Sequence, residues 1–263
     1  MGRSINKSTD KEFIMELKSG NPTLKPSIFE GLVRTGLGGE RMTFQGTVNK
    51  VGLMLLTVLL SAAVIWYRYS RAMEFASIAP LFYIGLFGGF GVSLVIIFKK
   101  ELAPNLALVY AVLEGLALGG VSAFMDRLYP GIVAQAVVLT FGTFMALLAL
   151  YQSRVIKVTA KFRLMVISAT GGIAIYYLLA LALSFFGIKM PLIHDSGMYG
   201  ILFSLLVVAV AAMNLVLDFD FIEKGVQAGA PKYMEWYGAF GLMVTLVWLY
   251  IEILRLLAKT RRR

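Results

Sequence analysis

The chain has 263 residues, is 59% apolar and carries a net charge of +10, and its mean hydropathy of +0.78 sets it apart from soluble domains, which are about 45–50% apolar. It contains no cysteine and one histidine, His194, which excludes disulfides, thiol nucleophiles and thiolate metal sites and leaves little room for a histidine-based metal site or triad. The basic residues fall at the ends of apolar runs and not along one soluble face, so the charge reads as membrane topology and not as a nucleic-acid surface.

Residues 1–50 form a polar tail with eight basic residues, Arg3, Lys7, Lys11, Lys18, Lys25, Arg34, Arg41 and Lys50. A short helix is expected around residues 10–18, capped by Ser8 or Thr9. The first apolar run begins only after this tail, a pattern unlike that of a secretory signal peptide, so the tail is expected to stay on the cytoplasmic side. A bilayer core of about 30 Å needs roughly 20 apolar residues of helix. Runs that meet this lie near 51–67, 79–98, 103–125, 130–151, 164–187, 197–217 and 236–258. The expectation is therefore an all-α polytopic membrane protein with seven transmembrane helices over 51–258, six of them in three hairpins that suit a bundle around the last. Residues 259–263 would be a basic C-terminal tail.

Orientation follows from the connections. With the N-terminus inside, the inner connections carry Lys99, Lys100, Arg154, Lys157, Lys161, Arg163, Lys224 and Lys232, and the outer ones only Arg68, Arg71, Arg127 and Lys189. That bias supports a cytoplasmic N-terminus. The C-terminal Arg255, Lys259 and Arg261 to Arg263 conflict with it. Either the last run crosses and carries its charges outward, or it is re-entrant. Its length of 23 apolar residues favours crossing. Gly85 and Gly89, Gly115 and Gly119, and Gly171, Gly172 and Ala174 are small residues at spacings that allow close helix packing within the bundle.

Ionisable groups within apolar runs carry the functional reading, because an ionised carboxylate at the bilayer centre costs about 3 kcal/mol on insertion scales and usually faces a protein interior or water. Glu114 lies at mid-run, at least ten residues from each end. It suits either a proton or cation path or a neutral acid hydrogen-bonded to a neighbouring helix. Asp218 and Asp220 close the sixth run; two apart on a helix, they point to different faces, and Asp218 is the better candidate for facing inward. A second carboxylate from the seventh run, Glu252 or Glu235, beside Asp218 could not stay ionised with it; the two would share a proton. Glu252 has the alternative of an intrahelical pair with Arg255. Asn214, one turn before Asp218, is placed to donate to its carboxylate. No nucleotide, phosphate or nucleophile motif is present, so no enzymatic activity and no cofactor is expected.

The segments MTFQGTVNKVG, VIIFKKELAPNLALVYAVLEGLALG, YPGIVAQAVVLTFGTF, IKVTAKFR, ATGGI and, above all, LVLDFDFIEKGVQAGAPKYMEWYGAFGLMVTLVWLYIEILRLL resemble the bacterial, YccA-like branch of the Bax inhibitor family. The likeness runs from about residue 21 to the C-terminus. It implies a bacterial plasma-membrane protein in which six helices surround a central seventh, and a pH-sensitive calcium leak. In that scheme an acid at the end of helix six and one in helix seven share a proton, and a basic residue of helix two latches the closed state. Asp218 matches the helix-six acid. Glu252, in LYIE, stands for the helix-seven acid with Glu235 as its rival. Lys99 or Lys100 stands for the latch, a point charge where a forked guanidinium is the expected group. The resemblance also implies a second role, regulation of a membrane-bound quality-control protease. The partners expected are thus the bilayer, calcium ions or protons, and such a protease.

Overall fold

A computed structural model describes residues 40–188, 190 and 197–262; the helix expected at 10–18 and His194 lie outside them. Seven helices long and apolar enough to cross a membrane are described: α1 Phe44–Ala72, α2 Ala79–Phe98, α3 Ala103–Leu128, α4 Ile132–Gln152, α5 Ala160–Ser184, α6 Met198–Gln227 and α7 Met234–Arg261. Single 3-10 turns precede α2 and α3, at Phe75–Ser77 and Lys100–Leu102. Among the described residues there is no strand, only an isolated bridge between Arg41 and Pro231.

The apolar runs set the helices, but capping chemistry sets their ends. Thr43 accepts a hydrogen bond from the Gly46 N–H at 3.0 Å, which starts α1 seven residues before the expected 51 and turns the last part of the polar tail into helix. Thr159 does the same for α5 through the Phe162 N–H at 3.2 Å. Pro80 and Pro104 sit in the first turns of α2 and α3, where a missing N–H costs nothing. The sixth run does not end at Asp218 and Asp220 as expected. Helix α6 continues ten residues past 217, with Asp220 and Lys224 paired across one turn at 3.2 Å. It stops where Gly229 takes the left-handed conformation at φ +69° and Pro231 follows. At about 45 Å, this 30-residue helix exceeds the bilayer core.

Helix α7 is the hub. It packs against α1, α3, α4 and α6, while α2 stands outside on α3 and α5 outside on α6. The α7 face is buried from Met234 through Leu254 by Tyr237, Phe240, Met243, Leu246 and Leu249, and Phe240 stacks edge-on against Tyr110 of α3. The helix crosses completely and is not re-entrant: Arg261 donates to the Pro130 carbonyl at 2.7 Å and to Gln135 at 3.0 Å, beside the α3–α4 connection. Its start lies at the opposite face, beside Thr43. Lys259 is buried and donates to the Gly200 carbonyl at 2.9 Å.

Glycines close the first three helices on one another. A Cβ on Gly85 would lie 2.6 Å from the Leu113 carbonyl, one on Gly119 2.8 Å from that of Ala62, and one on Gly115 would overlap Ser61. Gly171 and Gly172 meet nothing within 4 Å, so the smooth face of α5 is unpacked. Gly115→Ala is therefore expected to lose about 1–3 kcal/mol through overpacking, and Gly171→Ala to gain up to about 1 kcal/mol from helix propensity. Thermal unfolding in one detergent checks this; shifts of the same sign would contradict it.

Candidate functional site

Three carboxylates are removed from solvent inside the bundle: Asp218 at 0%, Glu235 at 0% and Glu252 at 1% exposure. The α6–α7 hairpin fixes their relative heights. A Cβ on Gly238 would touch Ile222 at 3.3 Å and Lys259 reaches Gly200, so Asp218 is level with Leu242. At 1.5 Å per residue, Glu252 lies about 15 Å from Asp218 along the axis and Glu235 about 10 Å in the other direction. Neither rival glutamate stands beside Asp218. The expected proton-sharing pair between helices six and seven is thus not formed, because each glutamate is engaged by other partners.

Glu235 fastens the start of α7 to the start of α1. Its carboxylate accepts from the Thr43 N–H at 2.9 Å and the Thr43 hydroxyl at 2.8 Å, and pairs with Lys50; Lys232 stands 3.5 Å away. Gly46 leaves room for it, since a Cβ there would land on the carboxylate. Lys50 also lies 5.4 Å from the centre of the Trp236 ring. The backbone completes the seam: Met42 N–H donates to the Ala230 carbonyl at 2.7 Å and Lys232 N–H to that of Glu40 at 2.9 Å. Glu235 in the first turn also suits the positive end of the helix dipole.

Glu252 belongs to a second group near the other face. It accepts from Arg255 Nη1 at 2.8 and 2.9 Å and from the Tyr177 hydroxyl at 3.1 and 3.2 Å. Arg255 also donates to the Tyr177 oxygen at 2.6 Å. The intrahelical pair is therefore the arrangement adopted, with Tyr177 tying α5 to α7.

Asp220 faces away from Asp218, into a charged layer at the α4–α5 and α6–α7 connections. Arg163 donates to it at 2.7 Å. Beside it Glu223 pairs with Arg154 and accepts from the Tyr151 hydroxyl. The Glu223 carboxylate hydrogen-bonded to Arg154 holds that guanidinium above its usual range, whereas burial pushes the Tyr233 phenol up, so Tyr233 adds no charge to this end. Glu114 is remote from these groups. It is hydrogen-bonded to Tyr110 and lies over Gly89 in the α2–α3 contact. Lys99 is exposed at the end of α2 and Lys100 opens the following turn. The lysine paired with a carboxylate of α7 is Lys50 of α1.

Asn214 does not donate to Asp218. Its two amide hydrogens go to Thr170 Oγ1 at 2.7 Å and the Val210 carbonyl at 2.9 Å, which leaves Oδ1 buried with no hydrogen-bond partner among the described residues. Asp218 itself is fully buried, and Leu215, Phe219 and Ile222 of the same helix are buried with it. Lys50, Thr43, Tyr177 and Arg163 were not singled out by sequence, since each looks like an ordinary cap, interfacial aromatic or topogenic charge. No cluster of three or more histidine, cysteine or acidic residues suited to a resident metal occurs among the described residues.

Residues 6–262 match the model of a family described as Bax inhibitor 1 like. No curated protein and no solved structure matches the chain.

Removing Lys50 leaves the buried Glu235 carboxylate with only Lys232 and the Thr43 donors, so Lys50→Met is expected to destabilise by up to about 3 kcal/mol. Adding Glu235→Gln should recover part of this loss, with a coupling of at least about 1 kcal/mol in the double-mutant cycle. Thermal unfolding of the four proteins measures it; strict additivity would contradict the seam.

Proposed function

The chain belongs to the Bax inhibitor 1 like family, and on that premise we propose that it is a pH-sensitive cation leak, with calcium as cargo, gated by Asp218. It is a multi-pass membrane protein. The reading extends to a bacterial plasma membrane with the N-terminus cytoplasmic, which the basic residues of the 98–103, 152–160 and 227–234 connections favour.

The observation that carries the proposal is the burial of Asp218 in the hub of a membrane bundle, about ten residues of helix away from Glu252 and further still from the Arg255 that holds it. A carboxyl group so placed is costly to ionise and marks a path or a sensor. Neutral, it is a hydrogen-bond donor, and the spare Asn214 Oδ1 one turn away is an acceptor that suits it. Ionised, Asp218 and that amide oxygen supply hard oxygen ligands of the kind calcium takes. Closure then belongs to the protonated state and opening to the deprotonated one, so the leak grows as pH rises. The gate is a single acid, because Glu235 and Glu252 are neutralised by Lys50 and Arg255.

Calcium entry into dye-loaded liposomes carrying the purified protein, read between about pH 5 and 8, tests this. Wild type should leak more at the alkaline end. Asp218→Asn, permanently neutral, should stay at the level of empty liposomes throughout, while Glu252→Gln keeps a pH-dependent leak. A pH-dependent leak that survives Asp218→Asn would overturn the gate. No leak at any pH from folded wild type would overturn the channel, in favour of the protease-modulating role.

A further inference from the structure

Helices α1 and α4 flank α7 without packing against each other. Between them lies a groove of about 510 Å³, within the range of small-molecule sites. Its floor is α7, through Met243, Leu246 and Tyr250, together with Leu118 and Ser122 of α3, all buried. Its rim includes Leu59 and Ala63 of α1 and Ala134 of α4, which are exposed on the apolar outside of the bundle. In a bilayer this outside meets hydrocarbon, and the few hydroxyls in the groove are already engaged, Ser122 with Tyr250 and Thr140 with the Ala136 carbonyl, so little is left to hold water. The occupant that fits is an acyl chain.

The end of the groove says which lipid. Near the α3–α4 connection it runs into a smaller cavity of about 290 Å³, and Trp66 and Asp126 line both. The smaller cavity is also lined by Arg127, Tyr69 and Ser70. Arg127 donates to the Tyr69 hydroxyl at 3.2 Å and to the Met73 carbonyl at 2.8 Å, both from Nη1, so Nε and Nη2 remain as donors. Asp126 Oδ1 accepts from the Gly131 N–H at 2.9 Å. Among the described residues neither Asp126 nor Arg127 forms an ion pair. A cation and an anion thus stand side by side at the mouth of an apolar slot, at the height where an interfacial tryptophan sits.

We propose that this groove binds one phospholipid with a primary-amine headgroup, its acyl chain along α7 between α1 and α4, its phosphate on Arg127 and its ammonium on Asp126. A headgroup without the amine leaves Asp126 beside the phosphate with no cation between them. A quaternary amine brings charge but no N–H to donate. The preference therefore falls on phosphatidylethanolamine over phosphatidylglycerol and phosphatidylcholine. This site lies apart from Asp218 and does not depend on the leak.

Tryptophan quenching by chain-brominated lipids tests it, in liposomes, with Trp66 as sole reporter in a Trp236→Phe/Trp248→Phe background. Brominated phosphatidylethanolamine at a low mole fraction should quench with at least about threefold higher apparent affinity than the glycerol or choline lipid, the scale of one exposed ion pair. Asp126→Asn should abolish the preference over phosphatidylcholine. Ala134→Phe, which fills the groove from its outer wall, should weaken quenching by all three lipids while leaving the melting temperature unchanged. Quenching that follows mole fraction alone, whatever the headgroup and in both variants, would overturn the site and leave only bulk lipid at the bundle surface.

Discussion

A carboxylate taken out of water must find a cation, a set of donors or a proton, and in a membrane bundle this rule decides where the helices are joined. Glu235 meets Lys50 and Thr43 and so sews α7 to α1. Glu252 meets Arg255 and Tyr177 and so holds α5, which otherwise rests mainly on α6. Asp220 and Glu223 meet Arg163, Lys224, Arg154 and Tyr151 and bind α4, α5 and α6 at one face. Asp218 is fully buried, level with the middle of the α7 hub. It is the one whose charge state the fold has most reason to feel.

Apolar packing answers a different need. Between helices in hydrocarbon there is little hydrophobic drive, so close contact depends on shape. Gly85, Gly115 and Gly119 let α1, α2 and α3 approach backbone to backbone. Helix α7 instead brings large side chains, Tyr237, Phe240 and Met243, to the centre. A tight three-helix wall and a bulky hub leave α1 and α4 apart, and the groove over α7 follows from that mismatch.

Seven spans are legible from the sequence because a run of about 20 apolar residues has few other fates, and the family resemblance is matched over residues 6–262. The ends are less legible. Hydropathy falls where charge begins, but α6 runs on through Asp218, Asp220 and Glu223 until Gly229 and Pro231 stop it. That is why the acids that looked like a helix end lie inside a helix. Asp218, Glu235 and Glu252 are visible as acids in a membrane segment, but their pairing is not. It depends on the hairpin register and on Lys50, which reads in the sequence as one more topogenic charge.

The central claim is that the protonation state of Asp218 sets the leak. The direct measurement is the pH-difference infrared spectrum of the protein in liposomes, recorded with the calcium leak on the same sample. The account predicts a protonated-carboxyl band that is lost in Asp218→Asn and that fades on raising the pH in step with the rise of the leak. A band that persists in that variant, or that titrates apart from the leak, would contradict it.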